Sequence, residues 1–196
     1  MKCIQDIIKN SAQKQIHFTT NLNCFIQQFE ASYSCNTLYI QDKELNIFLN
    51  PKYYTLIELV NCDITDLDLI SRLTNLESLT IRRCSEVRDI SPLSGLANLT
   101  SLTISHCEQV HDLRPLMKLR NLRSLTISHC NIYDLNPLAY LPNLISLNLV
   151  ACYCLRDLRP LISLIHLTSL NLSFCRINNK DLEPLWHLPN LSSITL

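Results

Sequence analysis

The chain has 196 residues, with 17 basic and 17 acidic side chains, so its formal net charge is zero. A balanced charge argues against a general nucleic-acid binder, which would be strongly basic, and against an acidic disordered tail. Apolar residues make up 47% of the chain, which is enough to bury a core. The single glycine, Gly95, argues against glycine-rich phosphate loops, which need several glycines.

No stretch of the sequence reaches the roughly 18 continuous apolar residues of a membrane helix, so we expect no membrane insertion. The first ten residues are interrupted by charge too early for the apolar core of a secretory signal. We therefore expect a cytoplasmic protein, or one translocated into a host cell by another route. In either place the ten cysteines would remain free thiols.

The N-terminal residues 1–31 are predicted to form a helical cap. Apolar residues fall at positions i, i+3, i+4 and i+7 from residue 22, which is the spacing of one helix face. An earlier helical turn is indicated near residues 4–8. The apolar residues concerned are Ile4, Ile7, Ile8, Leu22, Phe25, Ile26 and Phe29.

Residues 36–50 allow two interpretations. The segment Thr37–Ile40 has the composition of a short strand and could be a degenerate first copy of the repeat that follows it. Alternatively, it could pair with Leu45–Ile47 as a hairpin that turns at Asp42 and Lys43. The sequence favours neither.

From residue 32 to residue 196 we expect repeats: about six clear copies, a truncated last copy and, under the first interpretation of residues 36–50, a degenerate first one. The segment Leu73–Cys84 returns as Leu96–Cys107, with leucine, isoleucine and cysteine at matching positions. The cysteines that close successive copies are 22, 23, 23, 22 and 23 residues apart. They are Cys62, Cys84, Cys107, Cys130, Cys152 and Cys175.

Each copy has two halves. The first ends in alternating apolar and polar residues, which predicts a short strand. The second carries an aspartate and then a proline, which fits the first position of a short helix or 3₁₀ turn because its missing N–H would have no partner there. Such units cannot fold alone, and stacking gives a parallel sheet on a concave side with turns on the convex side.

This pattern resembles the leucine-rich repeat family, and the second half, as in Tyr133–Leu138, is most similar to its internalin and phosphatase-regulator types. The resemblance implies an α/β leucine-rich repeat solenoid that serves as a recognition scaffold. The family usually has asparagine at the bend, where this chain has cysteine in six copies.

The repeated cysteines are predicted to form a buried ladder of small, weakly donating side chains in place of asparagine. A metal–thiolate array or a redox switch is the alternative, but side chains one strand spacing apart that point the same way do not form a tetrahedral site. The repeated aspartates are predicted to accept hydrogen bonds from backbone N–H groups where the chain enters each turn. They are Asp66, Asp89, Asp112, Asp134 and Asp157.

The pairs Ser105–His106 and Ser128–His129 could indicate a nucleophile next to its base. The repeat alone explains their proximity, however, and no carboxylate is placed to orient an imidazole. We therefore predict that the histidines stack as exposed neighbours at the edge of the concave face. No catalytic residue, metal or cofactor is predicted.

The outward strand residues of the concave face form rows of serine, threonine and asparagine that would leave a shallow, open groove. Alternatively, these side chains simply solvate the sheet. Arginine and aromatic residues are the usual anchors of protein interfaces. The residues predicted to contact a partner are Arg82, Arg83, Thr103, Ser105, His106, Thr126, Ser128, His129, Asn148, Asn171 and Phe174.

The sequence as a whole predicts a monomeric, non-catalytic module that binds another protein, and no nucleic acid, on its concave face. An effector that acts in host cells is one interpretation. An endogenous regulator or adaptor of a phosphatase or ubiquitin ligase is another. A third is the targeting part of a larger enzyme whose catalytic domain lies beyond Leu196.

Overall fold

The computed structural model describes residues 15–18, 37–41 and 54–196. Within these ranges the strands form one parallel sheet in which they follow chain order from β1 to β9. The strands are β1 (Gln15–Phe18), β2 (Thr37–Gln41), β3 (Leu56–Val60), β4 (Ser78–Arg82), β5 (Ser101–Ser105), β6 (Ser124–Ser128), β7 (Ser146–Val150), β8 (Ser169–Asn171) and β9 (Ser193–Thr195).

Each repeat contributes one strand, and the strands pair in register without slippage. Leu102 lies between Leu79 and Leu125, and Ile104 pairs with the equivalent isoleucines on both sides. These leucines and isoleucines are fully buried, whereas the residues between them are half-buried or exposed. The period-2 alternation seen in the sequence therefore sends one set of side chains into the core and the other to the concave face.

The second half of each repeat forms a short turn on the convex side. A four-residue helix, α1 (Asp68–Ser71), occupies this place in the first described repeat. Later repeats have 3₁₀ turns, four of which begin with proline at the first or second position, as the sequence predicts. The turns are η1 (Ser91–Gly95), η2 (Arg114–Lys118), η3 (Asn136–Tyr140), η4 (Arg159–Ser163) and η5 (Asn179–His187).

The last turn, η5, is nine residues long and has its own start signal. The side chain of Asn178 accepts a hydrogen bond from the N–H of Lys180, while the carboxylate of Asp181 accepts one from the N–H of Asn178. This reciprocal capping satisfies two backbone donors that have no partner inside the turn. It explains why the longest repeat extends its turn without losing register.

At residues 37–41 the structure favours a repeat strand, and residues 36 and 42–50 lie outside the described residues. Strand β2 pairs in parallel with β3, so that Ile40 lies opposite Leu59. Its other edge pairs with β1. With both edges occupied, β2 has no free edge for a hairpin partner.

Within the predicted cap, residues 15–18 form strand β1, which continues the parallel sheet. We did not predict this strand, because a four-residue segment followed by Thr19 and Thr20 carries little periodic signal. The helical turns predicted near residues 4–8 and 22–29 lie outside the described residues.

A left-handed residue ends the strand segment of every repeat from β3 to β8. These residues have φ between 52° and 61°, although none is glycine. In most repeats the N–H of this residue donates to a carbonyl of the next repeat, as from Arg83 to Ser105 (2.9 Å). The residues are Asn61, Arg83, His106, His129, Ala151 and Phe174, and we call them the left-handed row.

Replacing Arg83 by valine is expected to lower the free energy of unfolding by about 1–2 kcal/mol, because a β-branched residue is strained at positive φ. Arg83→Gly should leave the free energy of unfolding unchanged within about 0.5 kcal/mol or raise it, since glycine adopts this conformation freely. Arg83 is exposed, so the two variants differ mainly in backbone strain. Urea denaturation of both variants measures the difference, and equal stabilities would contradict the assignment of a strained backbone.

Candidate functional site

The middle row of the concave face is formed by half-buried polar side chains in register. Thr103 pairs with Thr126, which in turn pairs with Asn148. The amide of Asn148 donates to the hydroxyl of Thr126 (3.2 Å), and the side chain of Asn171 accepts a bond from the N–H of Ser173 (2.9 Å). These groups form a flat polar floor, and some of their hydrogen bonds are made to other groups of this protein.

Ser105 and Ser128 lie side by side at the ends of β5 and β6. The hydroxyl of Ser128 donates to that of Ser105 at 2.8 Å. Ser105 is only 8% exposed, whereas Ser128 is half-buried. Ser105 was predicted to contact a partner, but it is buried and presents little surface. Its hydroxyl accepts the hydrogen bond of Ser128 instead.

Arg82 and Arg83 are adjacent in sequence but occupy different positions. Arg82 is the last residue of β4, and Arg83 is in the left-handed row. Both are exposed, and among the described residues neither guanidinium has an ion-pair partner. Their positive charges are therefore available to an external group.

His106 and His129 stack face to face in adjacent repeats, as the sequence predicts. Their ring centroids are 4.0 Å apart and the ring planes differ by 15°. Partial burial and the positive charges of His129, Arg83 and Arg82 lower the pKa of His106, while Glu108 acts in the opposite direction. His106 is thus biased towards the neutral form when no ligand is present.

The exposed aromatic ring of Phe174 lies apart from the arginines and the stacked histidines. It is 76% exposed and belongs to the left-handed row two repeats beyond His129. Between them stands Ala151, which is buried. The structure therefore brings Arg82, Arg83, His106 and His129 together in three consecutive repeats, a group that we call the cationic cluster, and leaves Phe174 at a distance.

The repeated cysteines form the predicted ladder. Five of the six are buried, and Cys175 is half-buried. The thiol of Cys107 donates to the carbonyl of Ile81 in the preceding repeat (3.8 Å) and to that of Ser105 in its own (3.5 Å). Contacts across repeats recur at Cys84, Cys130, Cys152 and Cys175.

Burial makes most of these thiols poor nucleophiles. Desolvation raises the pKa of Cys107 to about 11 and that of Cys130 to about 12. Cys175 differs, because a hydrogen bond from Cys152 lowers its pKa to about 7. The ladder is thus structural along most of its length, with one more acidic thiol near its C-terminal end.

The repeated aspartates have the predicted local role. The carboxylate of Asp89 accepts a bond from the N–H of Ser91 (2.7 Å), and the same bond recurs at the other four. Asp112 and Asp157 also form ion pairs with Arg114 and Arg159 (both 2.7 Å). The aspartates therefore organise the convex turns.

The sequence analysis missed an asparagine ladder at the opposite edge of the sheet. In the motif Leu-x-Asn-Leu, the amide of Asn98 donates to the carbonyl of Thr74 (2.9 Å), and Asn121 repeats this bond with Ala97 (2.9 Å). The recurrence of asparagine at the third position of this motif was the signal that could have revealed it. A shallow polar groove of about 590 Å³ runs along this edge.

The geometry of the histidine pair does not suit a metal ion. Stacked rings direct their nitrogen lone pairs side by side, whereas metal ligands converge on one point. Among residues 15–18, 37–41 and 54–196, no group of three histidine, cysteine or acidic side chains is arranged to hold an ion. In the same part of the chain no helix has the length and apolarity needed to cross a bilayer.

One strand per repeat, 3₁₀ turns on the convex side and a polar concave face define a leucine-rich repeat solenoid. The chain belongs to the internalin-like leucine-rich repeat proteins. Internalin C2 from Listeria monocytogenes is similar with a TM-score of 0.71 and 30% sequence identity, over 82% of this chain and 70% of that one.

A second internalin of Listeria monocytogenes, InlF, is similar with a TM-score of 0.69 and 26% identity, over 82% of this chain and 47% of that one. This chain thus spans less than half the length of that neighbour. No family model and no curated protein sequence matches the chain.

Proposed function

We propose that this protein is a non-catalytic module that binds another protein on its concave face, with the cationic cluster as the main anchor. The observation that carries the proposal is the exposed arginine pair beside the stacked histidines, to which no carboxylate of the described residues is ion-paired. Arginine supplies interface energy because its guanidinium donates several hydrogen bonds in a fixed geometry. The internalin-like fold supports the same function.

The flat floor beside the cluster suits a protein partner better than a small molecule. Small-molecule sites are enclosed and mostly apolar, whereas the concave rows are open, half-buried and polar. Thr103, Thr126, Ser128, Asn148 and Asn171 would then contribute complementary contacts. Phe174 would add an apolar contact where the partner extends along the arc.

The charge reversal Arg82→Glu with Arg83→Glu is expected to weaken partner binding at least tenfold, or ~1.4 kcal/mol. Affinity purification from host-cell lysate with each variant, followed by quantitative mass spectrometry and titration of the retained protein, measures the change. Phe174→Ala should cost a similar amount if the partner spans the whole arc.

The matched control is Lys118→Glu with Arg120→Glu, at and next to η2. Arg159 suits this purpose less well, because its ion pair with Asp157 would be broken by the same change. The control should leave binding within about twofold of the original. Loss of binding in the control, with binding intact in the Arg82 and Arg83 variant, would place recognition on the convex side.

We further propose that the partner is a host-cell protein and that the chain acts as a translocated effector. The support is the likeness to two internalins of Listeria monocytogenes. Capture of a partner from host lysate that depends on the cationic cluster is the expected result. Cluster-dependent capture only from lysate of the source organism would favour an endogenous regulator instead.

A further inference from the structure

The cationic cluster places two arginines next to two stacked histidines. Arg82 and Arg83 end β4, and both rings of the histidine pair stack beside them in the next two repeats. Within the described residues the structure gives neither arginine an ion pair. By contrast, Arg114 and Arg159 on the convex side each form an ion pair with an aspartate two residues away.

The charged groups around His106 indicate that the cluster would be stabilised by an added negative charge. His129, Arg83 and Arg82 disfavour a proton on His106, and among the described residues Glu108, on the same loop, favours it. A charge on one stacked imidazole disfavours a charge on the other. An anion that binds the arginines would therefore also favour the protonated form of His106.

We propose that the cationic cluster docks a short acidic segment of a partner protein, whose carboxylates bind Arg82 and Arg83 and draw protons onto the stacked histidines. This inference rests on the proposed function and names the chemistry of the partner. Binding then takes up protons, and its affinity rises as the pH falls.

A protein segment fits the cluster better than a long polyanion. The arginines and histidines lie on three adjacent strands about 4.8 Å apart, so the cluster is about 10 Å long, which three residues of an extended peptide span at about 3.3 Å each. Glu58 lies in the middle row one strand before Thr80, and Glu108 follows His106, so acidic groups lie near the cluster. The chain as a whole has no net positive charge to attract a nucleic acid.

The backbone holds the cluster in a fixed arrangement. Arg83, His106 and His129 are all left-handed, and the N–H of each donates to a carbonyl of the following repeat at 2.9–3.0 Å. Such strained residues persist where the surrounding structure fixes them. Less conformational freedom is therefore lost when an acidic segment binds.

The test uses the full chain and a short fluorescein-labelled peptide of alternating glutamate and glycine, with the glutamine–glycine and lysine–glycine peptides as comparisons. Fluorescence anisotropy should show that the glutamate peptide binds and that the glutamine and lysine peptides do not. Arg82→Gln with Arg83→Gln should weaken binding of the glutamate peptide about tenfold. Lys118→Gln with Arg120→Gln removes the same charge elsewhere and should change it less than about twofold.

The pH dependence tests whether the two stacked histidines take up protons when the peptide binds. Affinity for the glutamate peptide should rise as the pH falls from about 8 to about 6, by up to about tenfold for each histidine whose pKa the peptide raises by one unit. His106→Gln with His129→Gln should abolish this rise. Proton NMR of the imidazoles should show the pKa of His106 increasing when the peptide is added.

The outcomes separate this inference from the proposed function. Equal binding of the glutamate and glutamine peptides, a flat pH profile, or preferred binding of a single-stranded RNA overturns the acidic-segment inference. Cluster-dependent capture of a partner in the lysate experiment would still stand in that case. If the Arg82→Glu and Arg83→Glu reversal leaves capture unchanged, the proposed function fails whatever the peptides do.

Discussion

Replacing Leu125 by alanine is expected to lower the free energy of unfolding by about 2–5 kcal/mol. Leu125 is fully buried in β6 and lies in register between Leu102 and Leu147. The change removes three side-chain carbons and leaves a cavity, because the adjacent strands keep the backbone in place. The resulting cavity lies in a central repeat, so stacking on both sides is weakened and the loss spreads along the solenoid.

Urea denaturation monitored by circular dichroism measures this change. Thr126→Ala, at the next residue of the same strand, is the matched control, because its side chain is half-buried on the concave face. We expect that control to cost no more than about 1 kcal/mol. A loss below about 0.5 kcal/mol for Leu125→Ala would mean that the strand register is wrong.

The sequence predicts the sheet and the turns well because both depend on local, repeated signals. Alternation at Leu79 and Ile81 identifies the strand, and the proline found in five of the copies identifies the turn. The aspartate bonds span two residues and so are also local. Because the copies are similar, one correct interpretation holds for the whole solenoid.

The left-handed row could not be predicted from residue types. Arginine, histidine and phenylalanine seldom adopt positive φ, and glycine, which would mark such a position, is absent from all six. The conformation is set instead by the ladder bonds to the next repeat, as from His106 to Ser128 (2.9 Å). The burial of Ser105 likewise depends on side chains from neighbouring repeats, which no single copy contains.

Only part of the candidate site could be predicted, because the repeat shows which residues are equivalent but not how neighbouring side chains pack. The stacking of His106 on His129 follows from their equivalent places in adjacent copies. The separation of Phe174 from the histidines depends on Ala151, whose small buried side chain interrupts the row. The repeat fixes which residues are aligned, but the individual side chains decide which of them form a continuous surface.

Cys175 of the native protein is expected to be alkylated at least about a hundredfold faster than Cys107 at pH 7. Cys175 is half-buried, and a hydrogen bond from Cys152 lowers its pKa below the ordinary value of 9.0, so its thiolate fraction at that pH exceeds the roughly 10⁻² of an ordinary cysteine. Cys107 is fully buried and its pKa is raised to about 11, so its thiolate fraction is about 10⁻⁴. Iodoacetamide labelling followed by peptide mass spectrometry measures both rates.

The pH dependence of labelling and stability tests the causes. Labelling of Cys175 should increase between pH 6 and 8 and then level off, while Cys107 stays unlabelled until the chain unfolds, when all ten cysteines should react. Because burial raises the pKa of Cys107 and Cys130 above the ordinary value of 9.0, the unfolded chain loses these protons first in alkali. The free energy of unfolding should therefore fall as the pH rises above about 9, and Cys107→Ala should reduce that fall. Rapid labelling of native Cys107 at pH 7, or one zinc ion per chain, would contradict a purely structural ladder.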